Sequence, residues 1–217
     1  MPTSIAPRAW RALLAALALS LAACGEDPVP PKVVQNGDLA VILQDPAAPP
    51  LEAVVKSFYA KRGSDREVRL YYAVGEGQTE QEEFLRLRVR DGSLLAQPDG
   101  SPIAMGDSVL ITVRVPDPSK FLVELEPAGL RFALAEPAEL KWKLGESDDS
   151  YDSDDDGIHV DDLPALADFG VWRQETSSAP WARLVSRIEV ELDEIEVGLI
   201  GFSNYAVAYR SAPTAER

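Results

Sequence analysis

Apolar and polar side chains alternate with a period of two residues along much of this chain, and this pattern restricts the fold more than any other feature. In 85–89 (LRLRV) the apolar side chains share one face and the arginines share the other. Equivalent segments lie at 109–115, 140–144 and 188–192. Since successive side chains of a β-strand point to opposite faces of a sheet, each segment is predicted to be a half-buried strand.

Turn-forming sequences separate the predicted strands. They are rich in Gly, Pro and Asp and include 98–100 (PDG), 105–107 (MGD) and 127–129 (PAG). Helical periodicity is weak and is confined to 51–59 and to a few residues after Asp162. Many short strands with frequent turns favour an all-β fold. We predict an antiparallel β-sandwich with one short helix after an acidic loop.

Two strand faces allow more specific predictions. The apolar residues are even-numbered through Leu192 and odd-numbered from Ile195, so a turn or bulge is expected at Asp193-Glu194. The arginines at 86, 88 and 90 either form an anion site or pair across the sheet with acids such as Glu189 and Glu191. Pairing is favoured, because the chain has 36 acidic and 21 basic residues.

The N-terminus has the features of a secretory signal peptide. Two arginines precede an apolar run at 12–23, which is shorter than the roughly 20 residues that span a bilayer. The run ends in 21–24 (LAAC), and Cys24 is the only cysteine of the chain. This ending, Leu21–Cys24, resembles the lipobox of bacterial lipoproteins. The resemblance implies removal of residues 1–23 and lipidation of Cys24; an ordinary signal peptide is the alternative.

Lipidation would place the protein in the cell envelope, outside the cytoplasm. Gly25 follows the cysteine where an Asp would favour inner-membrane retention, so the outer membrane is expected if the cell has two membranes. The proline-rich residues 24–37 are predicted to form a tether. The net charge of −15 excludes nucleic-acid binding through phosphates and docking on anionic lipids by charge, so the lipid anchor is the predicted membrane contact.

An acidic segment begins at Asp152. The sequence 152–157 (DSDDDG) resembles the D-x-D-x-D-G calcium loops of EF-hands, dockerins and thrombospondin type-3 repeats. The resemblance implies that Ca²⁺ is bound by the carboxylates of Asp152, Asp154 and Asp156 and by the carbonyl of Ile158. Leu163 occupies the position of the closing acid in those loops, so Asp162 is predicted to close the site and to cap the short helix. The alternative is an acidic surface loop that binds no ion.

The C-terminal half contains three short stretches that are similar to motifs of a known domain family. They are 125–132 (LEPAGLRF), 181–184 (WARL) and 201–207 (GFSNYAV). These motifs resemble the β-sandwich of ankyrins, netrin receptors and zonula occludens proteins. The resemblance implies a β-sandwich region at 106–210 with an acidic insertion at 146–169, after an N-terminal β-rich region at 38–105. Whether 38–105 folds independently is left open.

Catalysis has little support in the sequence. Some relatives of the resembled domain cleave themselves at an H-F-S sequence, but Gly201 replaces that His, so no cleavage is expected before Ser203. The chain's only His, His159, lies in the acidic segment. We expect a non-catalytic binding or structural module for an unidentified protein or glycan ligand. A hydrolase that uses two carboxylates is the alternative, and a cleft with two acids and exposed aromatics would favour it.

Overall fold

A computed structural model describes residues 31–74, 81–154 and 159–211. From Pro31 onward the described residues belong to one compact unit. The predicted signal peptide 1–23 and Cys24 lie outside the described residues. Among the residues that the structure describes, no helix has the length and apolar character that a membrane crossing requires.

The described residues form short strands joined by turns. The strands are β1 Val33–Val34, β2 Leu39–Val41, β3 Val55–Lys61, β4 Arg66–Tyr71, β5 Glu83–Val89, β6 Leu94–Ala96, β7 Ser108–Arg114, β8 Leu122–Glu126, β9 Arg131–Phe132, β10 Ala138–Lys143, β11 Gly170–Gln174, β12 Trp181–Arg183, β13 Ser186–Glu189, β14 Glu194–Leu199 and β15 Asn204–Arg210. One α-helical turn, α1, spans His159–Asp162. Turns of 3-10 helix lie at Asn36–Asp38, Asp149–Tyr151, Leu163–Ala165 and Val190–Leu192.

The strands pair into two main sheets. The large sheet has the order β1-β12-β11-β15-β8-β7-β3, with β2 also paired to β15. The second sheet has the order β13-β14-β10-β5-β4, and β6 pairs with β9. Every pair is antiparallel. The fold is therefore mostly β with antiparallel sheets, as predicted.

One core cluster joins the inner faces of the two sheets. Leu85, Leu87 and Val89 of the second sheet and Ile111 and Val113 of the large sheet are all fully buried in it. The two sequence regions 38–105 and 106–210 are not separate in the structure, because β3 pairs with β7 and β5 pairs with β10.

The predicted register break is confirmed. Strand β13 ends at Glu189 and β14 starts at Glu194, which pairs with Glu189 across a hairpin. Asp193 has a left-handed backbone with φ of 51°, and it follows the 3-10 turn. The inward-facing residues change from even to odd numbers because Ile188 and Ile195 are cross-strand partners on the same face of this hairpin. Val190 and Leu192, assigned to a strand by their alternation, belong to this turn and are partly exposed.

Two helix predictions differ from the structure. The segment 51–59 is not helical, because its C-terminal part is β3, in which β-branched and aromatic residues pair with β7. After Asp162, where the short helix was predicted, the chain forms only a 3-10 turn at Leu163–Ala165, and the one α-helical turn of the described residues precedes it at His159–Asp162. The physical reason is that the Asp162 carboxylate accepts hydrogen bonds from the backbone N–H and the hydroxyl of Ser153, so it does not cap the turn that follows.

The predicted tether also ends earlier than residue 37. Val33 and Val34 pair with Ala182 and Trp181 at the edge of the large sheet. Lys32 donates a hydrogen bond to the carboxylate of Asp168. Two β-branched residues beside a strand edge therefore extend the sheet into the segment that was predicted to be a tether.

The exposed face of the second sheet carries paired charges, as expected for the arginine face. The predicted partners were wrong: Arg88 pairs with Asp65 at 2.7 Å and Arg90 with Glu139 at 2.8 Å, because these acids lie on neighbouring segments. The most buried ion pair of this face involves Glu194, which is 6% exposed. The ammonium groups of Lys141 and Lys143 lie 2.5 and 3.0 Å from its carboxylate oxygens.

We expect Glu194→Gln to destabilise the fold by about 1–3 kcal/mol at neutral pH, because two partly buried lysines lose their charged acceptor. Burial raises the pKa of Glu194, but the hydrogen bonds and charges of Lys141 and Lys143 lower it by a larger amount. The pKa of Glu194 is therefore below the ordinary Glu value. The stabilisation of the fold by the Glu194 ion pairs is therefore fully present at pH values above the ordinary Glu pKa, and it is lost as the pH falls through the lowered pKa of Glu194. Thermal melts of both proteins as a function of pH measure the difference.

Glu189→Gln is the matched control. Glu189 pairs with Arg187, whose side chain is 67% exposed, and such exposed pairs contribute roughly 0–1 kcal/mol. Equal destabilisation by the two substitutions would show that the buried ion pairs of Glu194 stabilise the fold no more than the exposed pair of Glu189.

Candidate metal site in the acidic segment

The residues just before the acidic segment, 146–151, are bonded to residues 43–45, which follow β2. The backbone N–H of Asp45 donates to the carbonyl of Glu146 at 2.9 Å, and that of Asp148 donates to Leu43 at 3.1 Å. Tyr151 follows, and its hydroxyl accepts from the N–H of Leu43 at 3.4 Å. These bonds hold the chain in place up to the residue before Asp152.

Three carboxylates meet just beyond this anchored segment. One carboxylate oxygen from each of Asp152, Asp154 and Asp162 lies within 4.8 Å of the others. Opposite ligands of a Ca²⁺ ion are roughly 5 Å apart, since each Ca–O bond measures about 2.3–2.6 Å. The cluster has the size and the oxygen donors to hold a metal ion.

The position of Asp162 depends on Ser153. The backbone N–H and the hydroxyl of Ser153 donate to the two Asp162 carboxylate oxygens, both at 2.6 Å. This pair of bonds brings a residue from α1 back to the loop that carries Asp152 and Asp154. Ser153 has no role in the sequence pattern of calcium loops, so its contribution was missed at the sequence level.

The structure thus unites three of the predicted ligands. Asp162 lies beside Asp152 and Asp154, where a closing ligand was expected. Asp156 and Ile158 lie outside the described residues. The described donors of this cluster are all carboxylate oxygens, which are ligands that hard cations prefer.

A groove lies next to the anchored segment. Its volume is about 480 Å³, and proline and aliphatic side chains form most of its described wall. Asp45 and Asp148 also line it, but each carboxylate accepts a local backbone hydrogen bond, from Ala47 and Ser150 respectively. The groove has the two acids that would favour a hydrolase, but its described wall contains no aromatic residue.

Ser203 has a partner that cannot act as a base. The residue is 3% exposed, and its hydroxyl oxygen accepts from Nε of Arg173 at 2.9 Å. A guanidinium group has no acceptor capacity and does not deprotonate in proteins. Gly201 packs closely against the backbone of Leu130, since a Cβ at position 201 would lie 3.2 Å from the Leu130 carbonyl oxygen. The absence of self-cleavage before Ser203 stays a prediction.

No protein-family model, no curated protein and no solved structure matches this chain.

We expect Ser153→Ala to weaken divalent-cation binding roughly tenfold, because residues that orient a metal ligand typically contribute about that much affinity. Isothermal titration calorimetry with Ca²⁺ measures the change. Ser150→Ala is the control, because Ser150 contacts Asp148 through its backbone N–H and not through its hydroxyl. Unchanged affinity in Ser153→Ala would show that Asp162 does not need this support to bind an ion.

Proposed function

We propose that this protein is a cell-envelope lipoprotein, anchored through Cys24, that presents a non-catalytic, calcium-stabilised β-sandwich outside the cytoplasm. Its role is to bind a protein or glycan partner or to support envelope structure. The observation that carries the proposal is the convergence of Asp152, Asp154 and Asp162 on one point. These residues come from the segment whose sequence resembles known calcium loops.

Calcium is the cation that best suits this cluster. Mg²⁺ requires near-octahedral geometry with shorter bonds and keeps several waters, whereas Ca²⁺ accepts irregular sets of six to eight oxygens. Zinc and copper favour nitrogen or sulfur ligands. Extracellular calcium modules typically bind with dissociation constants of about 0.1–1 mM, which suits an exposed loop outside the cytoplasm.

A bound cation would also reduce the repulsion between the three carboxylates of the cluster. Carboxylates held within 4.8 Å of one another repel when they are charged. A bound Ca²⁺ removes that repulsion and links the loop to α1. Because the base of the loop is bonded to Leu43 and Asp45, ordering of the loop is transmitted to the β-structure.

The binding or structural role rests on the form of the domain. The large buried hydrophobic residues of the two sheets fill one main core and a smaller second cluster, and the Trp142 and Trp172 side chains are fully buried in them. Neither indole is available to line a sugar-binding face. This arrangement supports a module that acts through its surface.

A thermal melt with Ca²⁺ and then with chelator tests the calcium site. At a Ca²⁺ concentration about a hundredfold above the dissociation constant, binding should add roughly 2.7 kcal/mol. In a domain of this size, each kcal/mol raises Tm by roughly 2–4 °C. The protein used should start at Gly25, which keeps β1 in the sheet.

Asp154→Ala should abolish this shift, and Mg²⁺ should not reproduce it. Asp99→Ala is a suitable control, because Asp99 lies in a separate turn, where it accepts hydrogen bonds from Ser101. The same Tm with Ca²⁺ and with chelator would contradict the calcium site.

The lipid anchor makes an independent prediction. Expressed in a bacterium with lipoprotein-processing enzymes, the full chain should incorporate labelled palmitate and partition into the detergent phase of Triton X-114. Cys24→Ser should lose both properties, because the substitution removes the only thiol. Label retained in Cys24→Ser, or absent from the unsubstituted protein, would contradict the anchor without affecting the calcium site.

A further inference from the structure

The described chain begins at one edge of the large sheet, so a tether on its N-terminal side leaves the domain at that edge. Strands β1 and β3 lie at the two ends of the strand order of this sheet. Val33 and Val34 pair with β12, and the carbonyl of Lys32 accepts from the N–H of Arg183 at 2.9 Å. The point at which the chain leaves the domain is therefore fixed beside Arg183.

Three basic side chains surround a single carboxylate at this point. Lys32 donates a hydrogen bond to Asp168, and Nε of Arg210 lies 3.3 Å from the other carboxylate oxygen of Asp168. Arg183 lies close enough for its charge to act on Asp168, and it donates to the carbonyl of Phe169 at 2.6 Å. These three positive charges and one negative charge leave +2 at this end of a chain whose net charge is −15.

The positive charges at this end are more accessible than the negative charge. The side chains of Lys32 and Arg210 are 59% and 55% exposed, whereas that of Asp168 is 10% exposed. Two aliphatic residues accompany them, Val33 at 56% and Val185 at 98% exposed. We call Lys32, Val33, Arg183, Val185 and Arg210 the tether-end surface. Its combination of positive charge and exposed aliphatic groups suits the boundary between lipid headgroups and acyl chains.

The length of the tether keeps this surface close to the membrane. Seven residue steps separate Cys24 from Pro31, and an extended chain of that length spans at most roughly 25 Å. A compact domain of this size is roughly 40 Å across. A domain lipidated at Cys24 can therefore turn the tether-end surface toward the bilayer, but it cannot turn its far side there.

The net charge of the chain does not decide this contact once the domain is tethered. A net charge of −15 opposes the binding of a free chain to anionic lipids. At physiological ionic strength the Debye length is about 8 Å, so acids on distant parts of the domain are screened from the headgroups. The charges nearest to the membrane decide, and at the tether-end surface their sum is positive.

We propose that the tether-end surface docks on the anionic phosphate headgroups of the membrane that carries the anchor. This inference rests on the proposed lipidation of Cys24. Lys32, Arg183 and Arg210 face the phosphates, and Val185 inserts among the headgroups. The acyl chains retain the domain, while this contact sets its orientation and leaves its far side open to a partner.

Lysine acetylation of vesicle-bound protein tests the proposal. Protein that starts at Cys24 is coupled through its only thiol to a maleimide lipid, in vesicles of phosphatidylcholine with or without phosphatidylglycerol. Mass spectrometry should show Lys32 acetylated roughly fivefold more slowly on the anionic vesicles, because a basic residue gains about that factor in affinity near such a surface. High salt should remove the difference.

Lys61 is the internal control, because it is exposed on β3 at the other end of the large sheet. Its acetylation should be the same on both kinds of vesicle. Equal acetylation of Lys32 on neutral and anionic vesicles would overturn the proposal. Because the coupling uses the thiol directly, this result would not bear on lipidation of Cys24 in the cell, which palmitate labelling tests separately.

Two substitutions assign the contact to the tether-end surface. Val185→Glu places an acid at an almost fully exposed position, so the protein should fold and the protection of Lys32 should be lost. Arg210→Gln should reduce the protection, because it removes one of the three positive charges. Leu110→Glu is the matched control, since Leu110 is exposed on β7, next to β3. Protection of Lys32 that survives Val185→Glu would show that another surface meets the membrane.

Discussion

Antiparallel pairing of β15 with three other strands is the interaction on which most of the large sheet depends. It pairs with β11 and β8 on its two sides and with β2 near its C-terminal end. Tyr205 and Val207 enter the main core, whereas Ala206 and Ala208 face Trp172 in a second cluster. The two small alanines leave room for the indole, whose N–H donates to the carbonyl of Ala208 at 3.0 Å. Residues near both ends of the described chain must therefore meet before this sheet is complete.

The acidic segment is a different kind of structure, held at its base by the β-fold and at its tip by polar contacts. Its base is bonded to Leu43 and Asp45, so the position of Asp152 follows from the sheet. The tip closes through the contact between Ser153 and Asp162. The described carboxylates of this loop carry like charges, which oppose its closure. The fold therefore determines where the acidic cluster lies.

Sequence periodicity located strands well where one face is buried and the other is charged. The segments around Leu87 and Leu140 meet that condition, and both are central strands of the second sheet. Periodicity wrongly predicted a helix at 51–59, because β3 lies at a sheet edge where Val55 and Tyr59 are exposed. It also failed for Val33 and Val34, since two residues are too few to show a period. At the candidate site, the spacing of Asp152 and Asp154 was informative, but the role of Ser153 depends on a contact with Asp162.

The sequence by itself determined the fold class, the hairpin at Asp193 and the acids that form the candidate metal cluster. These features depend on local alternation, turn chemistry and spacing, all of which act between residues close together in the chain. The tertiary structure decided the order of strands in each sheet, the ion-pair partners of Arg88 and Arg90, and the edge position of β3. Those features depend on contacts between distant segments, because the free energy of burying a shared core selects which strands become neighbours.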